Sequence, residues 1–163
     1  MKLHSLKIKN FRGYKDEINV VFDDLTAFVG KNDVGKSTIL EALDIFFNDG
    51  KGVVKIDKND INILEAHAGN QDTIISVCFA ELPEKIVIDS TIETSLQDEY
   101  MLNAEGYLEV IKKYKNGGNP KVFIRANHPT NVRCAELLLK KNSDLKKMIQ
   151  AEELECDNLN VNS

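Results

Sequence analysis

The sequence predicts an α/β fold built on a strand, a glycine-bearing loop and a helix that follow one another without a break. Three observations predict it. Residues 25–29, LTAFV, are an apolar run with almost no alternation; residues 30–37, GKNDVGKS, come directly after; and from Ser37 onward the apolar residues recur at helical spacing.

Taken in chain order, residues 2–11 put Leu6 and Ile8 on one side and lysines on the other, and Ile18, Val20 and Phe22 repeat the alternation after the turn-like Arg12-Gly13-Tyr14. Both segments read as half-buried strands, paired with each other. The unbroken run at 25–29 suits a central strand covered on both faces. In the helix that follows, Ile39, Leu40, Ala42, Leu43, Ile45, Phe46 and Phe47 cover a wide face, which implies burial against a sheet, and Asn48-Asp49-Gly50 supplies the stop. Residues 52–70, rich in Asp, Asn and Lys, read as a loop, and residues 74–79 as a strand. Short strands are expected at 86–88 and 91–96. Residues 107–114 and 121–126 flank Asn116-Gly117-Gly118-Asn119-Pro120, a hairpin pattern. Two helices are expected at the end: one carries Val132, Ala135, Leu138 and Leu139; the other carries Leu145, Met148, Ile149 and, at its margin, Leu154, with Ser143 as its cap. Two regions result, a lobe at 1–130 and a helical segment at 131–163.

The chain has 163 residues, 42% of them hydrophobic and 29% charged, which fits one soluble globular unit. No run approaches the roughly 18 apolar residues of a membrane span, and the N-terminus lacks the apolar block of a signal peptide, so a cytoplasmic location without membrane contact is expected. Cys78, Cys134 and Cys156 are far apart, with no C-x-x-C pair, and read as reduced structural thiols. A net charge of −5 excludes nucleic-acid binding by bulk electrostatics, so any such contact needs a local patch.

Residues 30–37 satisfy G-x-x-x-x-G-K-[ST] with the required strand before and helix after, which makes the fold class that of a P-loop NTPase. Phosphate is met most cheaply by backbone N–H groups curled around it and by the positive end of a helix dipole. Gly30, Lys31, Asn32, Asp33, Val34 and Gly35 would form the cradle. Lys36 would reach the β- and γ-phosphates of ATP, and Ser37 would ligate Mg2+. Thr38, with Ser37, would lie near the α- and β-phosphates. Asp33 stands where glycine is frequent; it tolerates a left-handed backbone, and its carboxylate should point away from phosphate. Hydrolysis also needs an acid at the end of an apolar strand. Asp89 in Ile86-Val87-Ile88-Asp89 is the one match, and it suits an edge strand ending in a turn equally well. Asp57 and Asp60 lack the glycine and distal Glu of a calcium loop and read as solvated. No catalytic residue is assigned.

The segments LKIKNFRGY, INVVF and AFVGKNDVGKSTILEALDIFF resemble the N-terminal lobe of the ATPase heads of the SMC and RecF group. The nearest resemblance is to the OLD (overcoming lysogenization defect) family of ATP-dependent nucleases, which includes the Gabija-type phage-defence nucleases. A looser similarity continues through KNDIN, ISVCF and FIRANHPTN, and only the first fifty residues are specific. The resemblance implies an ABC-type ATPase lobe with a mixed parallel and antiparallel sheet. It also implies a homodimer with nucleotide between protomers, a Toprim nuclease domain following the head, and Arg12 beside the nucleotide. The chain departs from that pattern: it has no L-S-G-G-like signature, no strand ending in paired acids, no switch histidine and no Toprim acidic cluster. An incomplete lobe is therefore expected, a fragment that binds ATP and hydrolyses it poorly or not at all.

Two other readings stay open. A small P-loop kinase reaches this length, but residues 1–24 precede the loop strand, and only Arg12, Arg125 and Arg133 are available to clamp a phosphoryl group. A DNA-contacting module is suggested by the basic hairpin at 112–125, where Lys112, Lys113, Lys115, Lys121 and Arg125 alternate with Tyr114 and Phe123; a merely solvated hairpin is the plainer account.

Overall fold

The computed structural model describes residues 1–30, 35–89, 92–128 and 140–152. They fall into two compact units, Met1–Asn127 and His128–Ser163.

The first unit is built on a five-stranded antiparallel sheet. Strand β1 (Lys2–Lys9) turns back at Phe11–Tyr14 into β2 (Ile18–Val21), with Ser5 opposite Val21 and Ile8 opposite Ile18. The other edge of β1 pairs with β3 (Asp72–Ala80), Ile8 facing Ile75. Strand β6 (Leu108–Lys115) pairs with β3, and β7 (Lys121–Arg125) closes the order β2-β1-β3-β6-β7. Between β3 and β6 the chain makes a separate hairpin of β4 (Ile86–Asp89) and β5 (Ile92–Thr94).

Helix α1 (Lys36–Phe47) covers one face of the large sheet. Its Ile39, Ala42, Ile45 and Phe46 meet Leu6 and Ile8 of β1, Ile75 and Val77 of β3, and Tyr114 of β6, all buried. The tyrosine is the one polar side chain in that set. Its hydroxyl donates to the Ile45 carbonyl at 3.1 Å, and burial, with Asp49 nearby, raises its pKa. Strand β3 is central and buried on both faces, which explains why DTIISVCFA carries so little alternation.

The read hairpin is present as β6–β7, with Lys113 opposite Lys121. Its turn requires glycine at 117: φ is 66°, and a Cβ there would collide with the backbone of Asp57. That contact ties the turn to the 52–70 segment, which is less of a loop than its composition suggests. It holds a 3-10 turn at Lys58–Asp60 and a short helix α2 (Ile63–His67). The Asp and Asn residues that suggested a loop act as caps. Asp57 accepts from Asn59 N at 2.6 Å, Asp60 accepts from Asp57 N at 2.9 Å, and Asn62 accepts from Leu64 N at 3.1 Å.

The expected central strand at 25–29 is absent. Those residues form no ladder, and Leu25 and Val29 are 90% and 93% exposed. The described sheet is antiparallel throughout, and 25–29 joins no strand of it, although Phe28 packs against its core. In the second unit, α3 spans Asn142–Ala151 with Leu145, Met148 and Ile149 half-buried at i, i+3 and i+4. Ser143 is not its cap: it lies inside the helix, and Lys141 occupies the N-cap without a side-chain hydrogen bond. The helix expected around Val132, Ala135, Leu138 and Leu139, together with Cys134, Leu154 and Cys156, lies outside the described residues. Cys78 is buried, and burial raises its pKa, as expected of an inert thiol.

Candidate nucleotide site

The predicted phosphate loop ends where α1 begins. Lys31, Asn32, Asp33 and Val34 lie outside the described residues; the loop's two ends are described. Gly35 is the N-cap of α1 with φ 79°, a left-handed conformation that favours glycine. A Cβ at Gly35 would collide with the Tyr14 hydroxyl, which also donates to the Gly35 carbonyl at 3.4 Å. Lys36 folds back so that Nζ donates to the carbonyl of Gly30, the first loop residue. Ser37 is exposed and Thr38 partly so, both in the first turn of α1. No side chain caps this turn and no acid lies in it. The first N–H groups of a helix have no intrahelical partner and carry its partial positive charge, so this end is suited to an anion.

Arg12 lies in the same tight turn as Tyr14, the residue that reaches Gly35. The turn is closed by Phe11 N to Tyr14 O and Tyr14 N to Phe11 O, both 2.9 Å. Arg12 has φ 49°, unusual for a side chain of its size, and the surroundings hold it there. Its N–H donates to Asp60 O at 2.6 Å, and its carbonyl accepts from Asn62 Nδ2 at 2.7 Å. The guanidinium lies 5.0 Å from the Phe11 ring centroid, donates Nε to Asp60 Oδ1 at 2.7 Å and pairs with Glu41 on α1. Burial disfavours the charged guanidinium, and the two carboxylates more than offset that, raising its pKa.

Sequence reading missed Glu41 and Asp60 as neighbours of Arg12, because nothing local marks an ion pair between residues 29 and 48 positions apart. Asp60, read as solvated, is largely covered by this pair and by its capping role. Asp89 ends β4 in the separate hairpin. Among the described residues no cluster of three His, Cys, Asp or Glu could hold a metal.

The basic hairpin needs one correction. Lys112 points to the α1 side of the sheet, donating to Phe46 O at 2.7 Å and pairing with Asp49, so it leaves the proposed basic face. Lys113, Lys115, Lys121 and Arg125 alternate onto the opposite face. On that face Glu109 is 1% exposed and receives Lys7 Nζ at 3.1 Å, Ser76 Oγ at 3.1 Å, Asn103 Nδ2 at 3.1 Å and Arg125 NH1 at 3.4 Å. Burial pushes its carboxyl up. The Asn103 and Lys7 hydrogen bonds and the two cations outweigh burial and hold it below the ordinary carboxylate value.

Comparison with known proteins agrees with this architecture. Among solved structures, one from work on ATP-driven dimerization and DNA-stimulated activation of SMC ATPases matches at 16% identity, covering 98% of this chain and 84% of that one, with a TM-score of 0.51. The SMC head domain from Thermotoga maritima is 17% identical over 78% of this chain and 38% of that one, with a TM-score of 0.45. No curated protein matches the chain. At such identities the first likeness is one of fold: the α/β, ABC-ATPase-like P-loop fold of an SMC head. Among the described residues no helix is long and apolar enough to cross a membrane. A family model described as an AAA ATPase domain matches residues 1–163, and the chain therefore belongs to the AAA ATPase domain family.

Proposed function

We propose that this chain is the ATP- and Mg2+-binding lobe of an SMC-like, ABC-type ATPase head. One observation carries the reading: the uncapped, acid-free first turn of α1 follows a left-handed Gly35, with Lys36 Nζ donating to the Gly30 carbonyl. Those donors and that lysine fit a triphosphate. Residues 30–36 would hold the phosphates, with Thr38 beside them, and the exposed Ser37 hydroxyl is the ligand this chain offers Mg2+. The metal, when bound, would neutralise charge shared by the β- and γ-phosphates. Arg12, held by Asp60 and Glu41, would have to exchange one of these carboxylates for phosphate to contact the nucleotide.

The finer assignment rests on the resemblance of the first fifty residues: an OLD-like, Gabija-like DNA nuclease acting in phage defence or DNA processing, whose heads dimerise through the nucleotide. The SMC ATPases of the matching structure are described as dimerising with ATP and as activated by DNA, and that pair of properties is proposed here as well. DNA would meet the 112–125 hairpin, through Lys113, Lys115, Lys121 and Arg125. This chain's share of the reaction is binding rather than hydrolysis, since no second acid is assigned.

The test is thermal. At a hundredfold excess over Kd, Mg-ATP should stabilise the chain by about 2.7 kcal/mol, raising Tm by several degrees. Lys36→Ala should abolish the rise while leaving the ligand-free Tm within about a degree. Equal shifts in both proteins would overturn the site.

A further inference from the structure

Resting on the reading that the hairpin meets DNA, we propose that the exposed β6–β7 margin of the sheet's outer face binds single-stranded nucleic acid, with Phe123 as its stacking platform. Strand register puts a short basic surface on the side away from α1. One cross-strand row runs Lys9, Ile74, Lys113, Lys121; the next runs Lys7, Ser76, Ile111, Phe123; a third ends in Glu109 and Arg125. Lys115 extends the basic rows beyond Lys113, opposite Asp72. Across β1, β3, β6 and β7 the cations on this face are Lys7, Lys9, Lys113, Lys115, Lys121 and Arg125, against the carboxylates Asp72 and Glu109. Toward β1 this face is covered at Ser76 and Glu109 and also feels Glu105, so in a chain of net charge −5 the exposed positive surface is the part around Lys9, Lys115, Lys121 and Arg125. That is the charge complement of a phosphate backbone.

The carboxylates organise the cations. Asp72 takes Lys113 at 2.7 Å, and the buried Glu109 orients Lys7 and Arg125, while Lys9, Lys115 and Lys121 are exposed. Within this surface Phe123 is 49% exposed and partly buried Ile111 lies beside it across the strand pair. Lys121 and Arg125 stand two residues to either side of it, on the same face and about 7 Å away. A base laid on the Phe123 ring would leave its flanking phosphates within reach of both cations. A duplex keeps its bases stacked on one another and cannot use the ring; an unpaired strand can, whatever its sequence. The exposed aromatic therefore favours the single strand over the duplex, which the lysines alone would not do.

The experiment uses the 163-residue chain and fluorescence anisotropy, comparing labelled oligo(dT) of about 15 nucleotides with a duplex of equal length over a range of salt. The expected result is tighter binding of oligo(dT). Phe123→Ala should weaken it about tenfold, Phe123→Tyr should restore it, and duplex binding should stay unchanged. Lys115→Gln and Lys121→Gln should each lower the salt slope by about 0.7, which keeps the test decisive if Phe123→Ala does not fold. Duplex binding as tight as oligo(dT), with no effect of Phe123→Ala, overturns the inference and leaves the DNA reading standing. Binding of neither overturns both. Displacement of oligo(dT) by a polyglutamate peptide at equal charge would assign the surface to an acidic protein segment, and the inference would also fall.

Discussion

Leu6 and Val29 both lie in segments within the first thirty residues that the sequence predicts as strands, one alternating and one an unbroken apolar run, and their fates are opposite. Leu6 is fully buried in β1, with Val20 opposite on one side, Val77 opposite on the other, and α1 packed over the core that holds it. Val29 is 93% exposed in a segment with no ladder. Local preference is similar at both positions. What differs is whether the rest of the described chain supplies neighbours, so the comparison separates what a residue prefers from what its partners allow.

The largest effect should come at the buried end of that comparison. Leu6→Ala removes a side chain from a packed layer that cannot fully collapse around the gap, and should cost about 3 kcal/mol in urea unfolding. A loss below about 1 kcal/mol would mean that the β1 layer is not packed as described.

A smaller effect should come from the polar side of the same sheet. Glu109→Gln keeps the shape and most hydrogen bonds but removes the charge that faces Lys7 and Arg125, at a cost of about 2 kcal/mol at pH 7. The pH dependence gives the prediction its sign. Glu109 has a folded pKa below its unfolded value, so its ionisation stabilises the protein above the unfolded pKa, about 4.3, and that contribution disappears as pH falls through the folded value. The gap between parent and Glu109→Gln should therefore be widest at neutral pH and close in acid. A gap that holds steady down to pH 2 would show that shape, not charge, is what the position needs.

The two regions also show how far sequence alone carries. Alternation at Leu6 and Ile8, the near-continuous run of β3, the α1 face and the Asn116-Gly117 turn were readable because each depends on period or turn chemistry within a few residues. At the candidate site, the N-terminal end of α1 was readable for the same reason: motif spacing puts Gly35 at the N-cap and Lys36 in the first turn. Asp57 and Asn62 were misread although their capping partners are only two residues away, because Asp and Asn serve loops and caps alike. The rest needed partners distant in the chain. Arg12 met Glu41 and Asp60, and Lys112 turned toward Asp49. The 25–29 strand was the most costly case: its apolar content predicts burial, but a strand also needs backbone partners, and no described strand provides them.

The smallest effect should come from the exposed end of the segment that lacks strand partners. Val29→Ser removes two methyl groups that water already reaches and adds a hydroxyl that water can satisfy. The transfer term is therefore small, and stability should change by less than about 0.5 kcal/mol. Residues 25–29 precede the phosphate loop, so the measurement should be repeated with Mg-ATP to learn whether ligand draws them into packed structure. The apolar run invites association between copies, which would bury Val29 in a way one chain does not show. In that case Val29→Ser would lower Tm more at high protein concentration than at low. An unchanged, concentration-independent Tm places Val29 in water, as the 93% exposure has it; a loss approaching that of Leu6→Ala would mean that the run is covered in solution and that the two regions are alike after all.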